Sequence, residues 1–169
     1  MPPRDLSLAL SFALAALAIA TEARAETEVA IEPRGSLVMV DGDPYPGVGA
    51  SVDVGFSMDL EPIVLQPELR VVGEGYPSLP GGSARVMAGV RAGIAWKFEP
   101  SIFTHFGWGF VGNDTFTSSG YALDAGLSAD YRLKRWITIG GSVGYELVVN
   151  DEAAHHGVFV GPRLGLWID

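Results

Sequence analysis

From Glu28 onward the chain alternates apolar and polar side chains with a period of two. The clearest run is 85–98, where Val86, Ala88, Val90, Ala92, Ile94, Trp96 and Phe98 interleave with Arg85, Met87, Gly89, Arg91, Gly93, Ala95 and Lys97. An extended strand sends successive side chains to opposite faces, so these two sets separate; a helix would mix them around its circumference. The same reading predicts strands near 28–40, 46–59, 62–73, 84–98, 101–111, 120–133, 136–149 and 157–168. The first and third carry Pro33 and Pro67, each of which removes a ladder donor. Tight turns are expected around Glu61-Pro62, Glu99-Pro100 and Lys134-Arg135. The other connections, at 41–45, 74–82, 112–119 and 150–156, are longer and rich in turn formers. Short turns at one end and long loops at the other describe a membrane-spanning antiparallel barrel, with the short turns periplasmic.

The apolar faces carry roughly forty side chains, whereas a filled eight-stranded core holds about a dozen, so the apolar face is expected to point outward. A two-sheet sandwich is the soluble architecture that could still bury such a set. The polar faces carry Glu32, Asp53, Glu68, Asp124, Asp130 and Glu146 against Arg34, Arg70, Arg85, Arg91, Arg132 and Arg163. Equal numbers of acids and bases suit a narrow lumen, where buried charges must be paired. No charge falls on an apolar face in this register, as expected where a charge facing mid-bilayer lipid costs about 2–4 kcal/mol.

Glycine is abundant, 22 of 169 residues, against a usual share of about 7%. Many glycines, Gly89, Gly93, Gly126, Gly144 and Gly161 among them, fall on the polar face, where they leave room beside arginines. The aromatics sort by height: Phe56, Trp96, Phe98 and Tyr131 outward near the short turns, Trp108, Phe110, Tyr121 and Tyr145 outward near the loops. Two such girdles fit interfacial anchoring. Phe103, Trp136 and Trp167 read as inward near the short-turn ends, where they would constrict the lumen; a local register shift would move them to the outer girdle.

Before the strands, Arg4, an apolar stretch from Leu6 to Ala20 and then Ala23-Arg24-Ala25 have the order of a Sec-type signal peptide. The expected division is therefore 1–25 signal peptide and 26–169 barrel domain. The net charge is −9 and no basic run exists, which argues against a nucleic-acid partner. There is no cysteine, hence no disulfide and no thiolate metal site.

Three motifs imitate chemistry. Gly140-Gly141-Ser142-Val143-Gly144 has nucleophile-elbow spacing, with Asp151 and His155 following, but it lies inside an alternating strand and not at a strand-to-helix turn. Gly107-Trp108-Gly109-Phe110-Val111-Gly112 matches a dinucleotide fingerprint without the helix that must follow. His155-His156 beside Asp151 and Glu152 are adjacent histidines on a loop, which rarely converge on one ion. No catalytic, cofactor or metal residue is assigned.

With this pattern in hand, residues 28–169 resemble the small eight-stranded outer-membrane proteins, the OmpA transmembrane-domain and OmpX-like group. The resemblance implies a cell outer-membrane location, outer-membrane lipid as surroundings, the assembly machinery as a biogenesis partner, and a monomer. Such proteins typically finish on an aromatic residue that the machinery reads, a role that falls here to Trp167 of Leu166-Trp167-Ile168-Asp169. The expected function is structural or surface-interacting and non-enzymatic. The alternatives are a small-molecule-binding or narrow-channel barrel, then an outer-leaflet lipid-modifying enzyme or a secreted soluble sandwich.

Overall fold

Alternation along the chain becomes inside and outside of a closed cylinder. The structure, a computed structural model, describes residues 26–40, 42–78, 81–112, 117–149 and 154–168. The expected signal peptide and Asp41, Asp114, Asp151 and Glu152 lie outside the described residues.

The strands are β1 (Thr27–Val40), β2 (Asp43–Phe56), β3 (Met58–Leu60), β4 (Ile63–Gly75), β5 (Gly82–Ile94), β6 (Phe98–Gly112), β7 (Thr117–Lys134), β8 (Ile137–Val149) and β9 (Ala154–Ile168). All pairings are antiparallel and β9 closes on β1. β3 prolongs β2, so the barrel has eight staves. The break between them lies opposite Pro67, which has no N–H to offer. The Ser57 N–H instead donates to the Glu26 carbonyl, at 2.9 Å.

Cross-strand neighbours, starting from Glu28, run through Gly55, Glu68, Gly89, His105, Asp124, Glu146 and Gly157. One circuit arrives at Val38, ten residues farther along β1. A stagger of this size in eight strands tilts them by roughly 40° from the barrel axis.

Burial inverts the pattern of a water-soluble protein. Among the described residues, 31 large hydrophobic side chains are exposed, while 22 polar or charged residues are buried against nine hydrophobic ones. The two-sheet sandwich is therefore not the architecture. The second tight turn is also displaced from its expected place. β6 begins at Phe98, paired with Tyr131, so Glu99 and Pro100 are strand residues and the turn is Ala95-Trp96-Lys97.

Candidate functional site

The lumen is the chemically distinctive part of the molecule. It is lined by the residues that period two places inward, and among the described residues they form two separate ion-pair networks.

Toward the short-turn end, the Arg163 guanidinium spans two acids, donating from Nη2 to Glu28 Oε2 at 2.7 Å and from Nη1 to Asp130 Oδ2 at 2.9 Å. Gln66 Nε2 donates to the same Glu28 oxygen at 2.7 Å. Arg91 donates from Nε to Glu68 Oε1 at 2.7 Å and also bonds Ser128. His105 Nε2 is 2.8 Å from the other Glu68 oxygen.

Toward the loop end, Arg70 grips Asp53 in a bidentate pair, Nε to Oδ1 at 2.6 Å and Nη2 to Oδ2 at 3.0 Å. Arg85 Nη2 lies 2.9 Å from Glu74 Oε2 and 2.7 Å from Glu146 Oε2. Arg34 completes this set, with Nε 2.9 Å from Glu74 Oε1 and Nη2 2.5 Å from Glu146. Glu32 is the exception: it is buried, yet Arg70 Nη2 stands 3.7 Å away, beyond hydrogen-bond range.

Two aromatic rings separate the networks. Phe103 and Phe159, from β6 and β9, meet with centroids 6.2 Å apart. The Arg34 guanidinium lies 3.6 Å from the Phe159 centroid, and those of Arg70 and Arg91 lie 5.0 and 5.4 Å from that of Phe103. Glycines make the crossing possible. A Cβ on Gly126 would sit 2.7 Å from Phe103 Cζ, and one on Gly144 would sit 2.6 Å from Phe159 Cζ. Beside the upper network, Val72, Met87, Ala122 and Val148 form an apolar cluster. At the mouth, the Tyr76 hydroxyl is 3.1 Å from Ser83 Oγ, and burial pushes its phenol up to about 12, so it stays protonated at neutral pH.

Eleven of the twelve charges expected in the lumen are buried there: Glu32, Arg34, Asp53, Glu68, Arg70, Arg85, Arg91, Asp124, Asp130, Glu146 and Arg163. The twelfth, Arg132, is a correction. It sits at the short-turn rim, 40% exposed, 3.7 Å from Glu26 and over the Trp167 ring. Two further acids, Glu28 at the first residue of its expected strand and Glu74 in an expected loop, are also buried in the lumen. Both continue the inward parity of β1 and β4, which is the signal that finds them. The lumen therefore holds eight buried acids against five arginines, not a balanced set.

The expected constriction of Phe103, Trp136 and Trp167 is not assembled. Phe103 is buried at mid-height, whereas Trp136 is 52% exposed in the β7–β8 turn. The cause is a register shift between Arg132 and Lys134, which ends β7 and turns the chain before Ile137 resumes the alternation. Trp167 alone stays at the short-turn end on the inward parity of β9, opposite Glu28, and is half-buried.

The girdle residues Trp96, Phe98, Phe110, Tyr121, Tyr131 and Tyr145 are exposed, and Phe56 and Trp108 partly so. Phe106, exposed and stacked on Tyr121 at 5.9 Å, joins the loop-end girdle. Ser142 is buried in the lumen, and Gly107–Gly112 stay within β6, the next described element being the strand β7. Among the described residues no three His, Cys, Asp or Glu converge as a metal site.

The fold matches known outer-membrane barrels. Neisserial surface protein A superposes with a TM-score of 0.63 at 8% identity, over 83% of this chain and 96% of that one. Ail, the attachment invasion locus protein of Yersinia pestis, gives 0.53 at 13% identity, covering 85% of this chain and all (100%) of that one. The N-terminal β-barrel domain of Pseudomonas aeruginosa OprF gives 0.51 at 13%, with 85% and 100% covered. No protein-family model and no curated protein matches the sequence. The chain thus has the eight-stranded architecture of small outer-membrane barrels, at identities that speak for fold alone.

Proposed function

We propose that this chain is a non-enzymatic outer-membrane barrel whose lumen is a closed structural core and whose long loops are its interacting surface. Export on the 1–25 signal peptide, assembly through recognition of the last strand, and life as a monomer in outer-membrane lipid belong to the same reading. The observation that carries it is the Phe103–Phe159 pair, roofed by Arg34 and flanked on both sides by ion pairs. A conducting barrel needs a continuous wet path, and these side chains stand across it. An outer-leaflet enzyme would need a nucleophile, a base and an acid together at the loop rim; Ser142, the serine of the elbow-like motif, is buried in the lumen.

The experiment is a planar-bilayer recording of wild type beside Phe103→Ala/Phe159→Ala. Wild type is expected to show no open-channel steps, and the double variant to show them. Large, stable steps from wild type, unchanged in the variant, would overturn the closed-core reading in favour of a narrow channel.

A further inference from the structure

The basic residues outside the lumen are gathered at one place. Among the described residues, Lys97, Arg132, Lys134 and Arg135 all lie at the short-turn end, in or beside the β5–β6 and β7–β8 turns. These include both lysines of the chain. The two turns are neighbours, since the Arg132 N–H donates to the Lys97 carbonyl at 3.2 Å. Aromatic rings stand among the cations: Lys97 Nζ is 5.4 Å from the Tyr131 centroid and Lys134 Nζ 5.6 Å from that of Trp136. The exposed acids of this end, Asp59 and Glu61, are on the β3–β4 hairpin instead, and the half-buried Glu26 faces Arg132 at 3.7 Å, whereas each lysine pairs with an aromatic ring.

From this collar an apolar groove climbs the outer wall. Its floor is the cross-strand row Pro100, Ala129, Gly141 and Pro162, with Pro33 next in line on β1. Ile102, Leu127, Val143 and Val160 form one bank and Phe98, Tyr131, Ile139 and Leu164 the other, all of them exposed. The depression measures about 990 Å³, with an adjoining one of about 540 Å³ beyond Tyr131. Tyr131 belongs to both collar and groove, so the two are continuous.

Resting on the reading of the chain as a membrane-spanning barrel, we propose that the Lys97/Lys134 collar and the Pro100–Pro162 groove form a site for one anionic phospholipid of the short-turn leaflet. The headgroup phosphate would sit between the lysine ammonium groups and an acyl chain would lie in the groove. Charge selects the headgroup, because an anion is attracted here while the rest of the exposed rim is acidic or neutral. Length suits the chain. From β6 to β1 the floor crosses four inter-strand gaps, about 19 Å at the usual 4.8 Å spacing. Because the strands are tilted by roughly 40°, the row is oblique to the membrane and rises by about 12 Å, most of the roughly 15 Å of one leaflet of the hydrocarbon core.

The test uses the full mature barrel folded in detergent, with native mass spectrometry of retained lipid and phosphatidylglycerol or phosphatidylcholine of matched chains as probes. Wild type is expected to retain phosphatidylglycerol about tenfold better than phosphatidylcholine. Lys97→Ala and Lys134→Ala should each lower that preference about fivefold, the equivalent of about 1 kcal/mol per basic residue at an anionic surface. Gly141→Leu, which fills the groove, should weaken retention of both lipids alike, since it leaves the charges in place. Soluble glycerophosphate should compete poorly; equal competition would mean that the collar binds phosphate without the groove and would overturn the site as drawn. Equal retention of both lipids by a wild type that shifts on a heat-modifiability gel would refute the lipid site alone. A wild type that does not shift on that gel would refute the barrel reading beneath it.

Discussion

The two faces of β5 stand a wall's thickness apart and obey different rules. Outward, Val86, Ala88, Val90 and Ala92 need only be apolar, because what they meet is uniform. Inward, Arg85 and Arg91 each need particular partners: Arg85 takes Glu74 and Glu146, and Arg91 takes Glu68 and Ser128. One face is specified by composition and the other by geometry. A substitution on the first is therefore judged by polarity, and one on the second by which charge it strands.

The largest effect is expected where a stranded charge is most deeply held. Arg163→Met removes the shared partner of Glu28 and Asp130, and breaking a buried ion pair from one side costs about 3–5 kcal/mol. Urea unfolding of the barrel in vesicles should lose stability on that scale; a loss below about 1 kcal/mol would mean that the lumen solvates its acids. Val90→Arg tests the other face. A charge toward mid-bilayer lipid should cost about 2–4 kcal/mol and remove the folded band from a heat-modifiability gel. A normal gel shift for this variant would show that the faces are reversed.

Arg91→Gln, one residue away, keeps a donor for Glu68 while His105 and Arg163 remain nearby. Its cost is expected at about 1.5–3 kcal/mol, in the range of one hydrogen bond to a charged group. Equal damage from Val90→Arg and Arg91→Gln would erase the distinction between composition and geometry. Smallest is Arg132→Gln, at the rim and 40% exposed, where a single surface pair contributes about 0–1 kcal/mol. A large loss there would extend the buried network to the rim.

The strand count, the inward set and the outward set were legible because a period of two needs no knowledge of partners. Glu28 and Glu74 are not legible as luminal acids because strand ends depend on pairing, not on the local pattern. Each is carried by a strand that runs one or two residues beyond its alternating stretch and has a cross-strand neighbour to hold it. Trp136 differs for a related reason, since one irregular step between Arg132 and Lys134 carries the chain into the turn, so that Trp136 lies outside the strand parity that Ile137 resumes. Pro67 removes a ladder donor from its own strand, yet its effect appears on the opposite stave, as the gap between β2 and β3.

What the sequence determined by itself is the wall: eight alternating segments, apolar on one side, polar and glycine-rich on the other, with short and long connections in turn. Local chemistry is enough for that, because each residue's side depends only on its neighbours in the chain. Only the tertiary structure decided what the polar side does. It grouped the luminal charges into two networks, placed Phe103 against Phe159 between them, and collected the lysines and arginines outside the lumen, among the described residues, in one collar. Those juxtapositions come from closure with a stagger of ten residues, which brings together side chains from strands far apart in sequence.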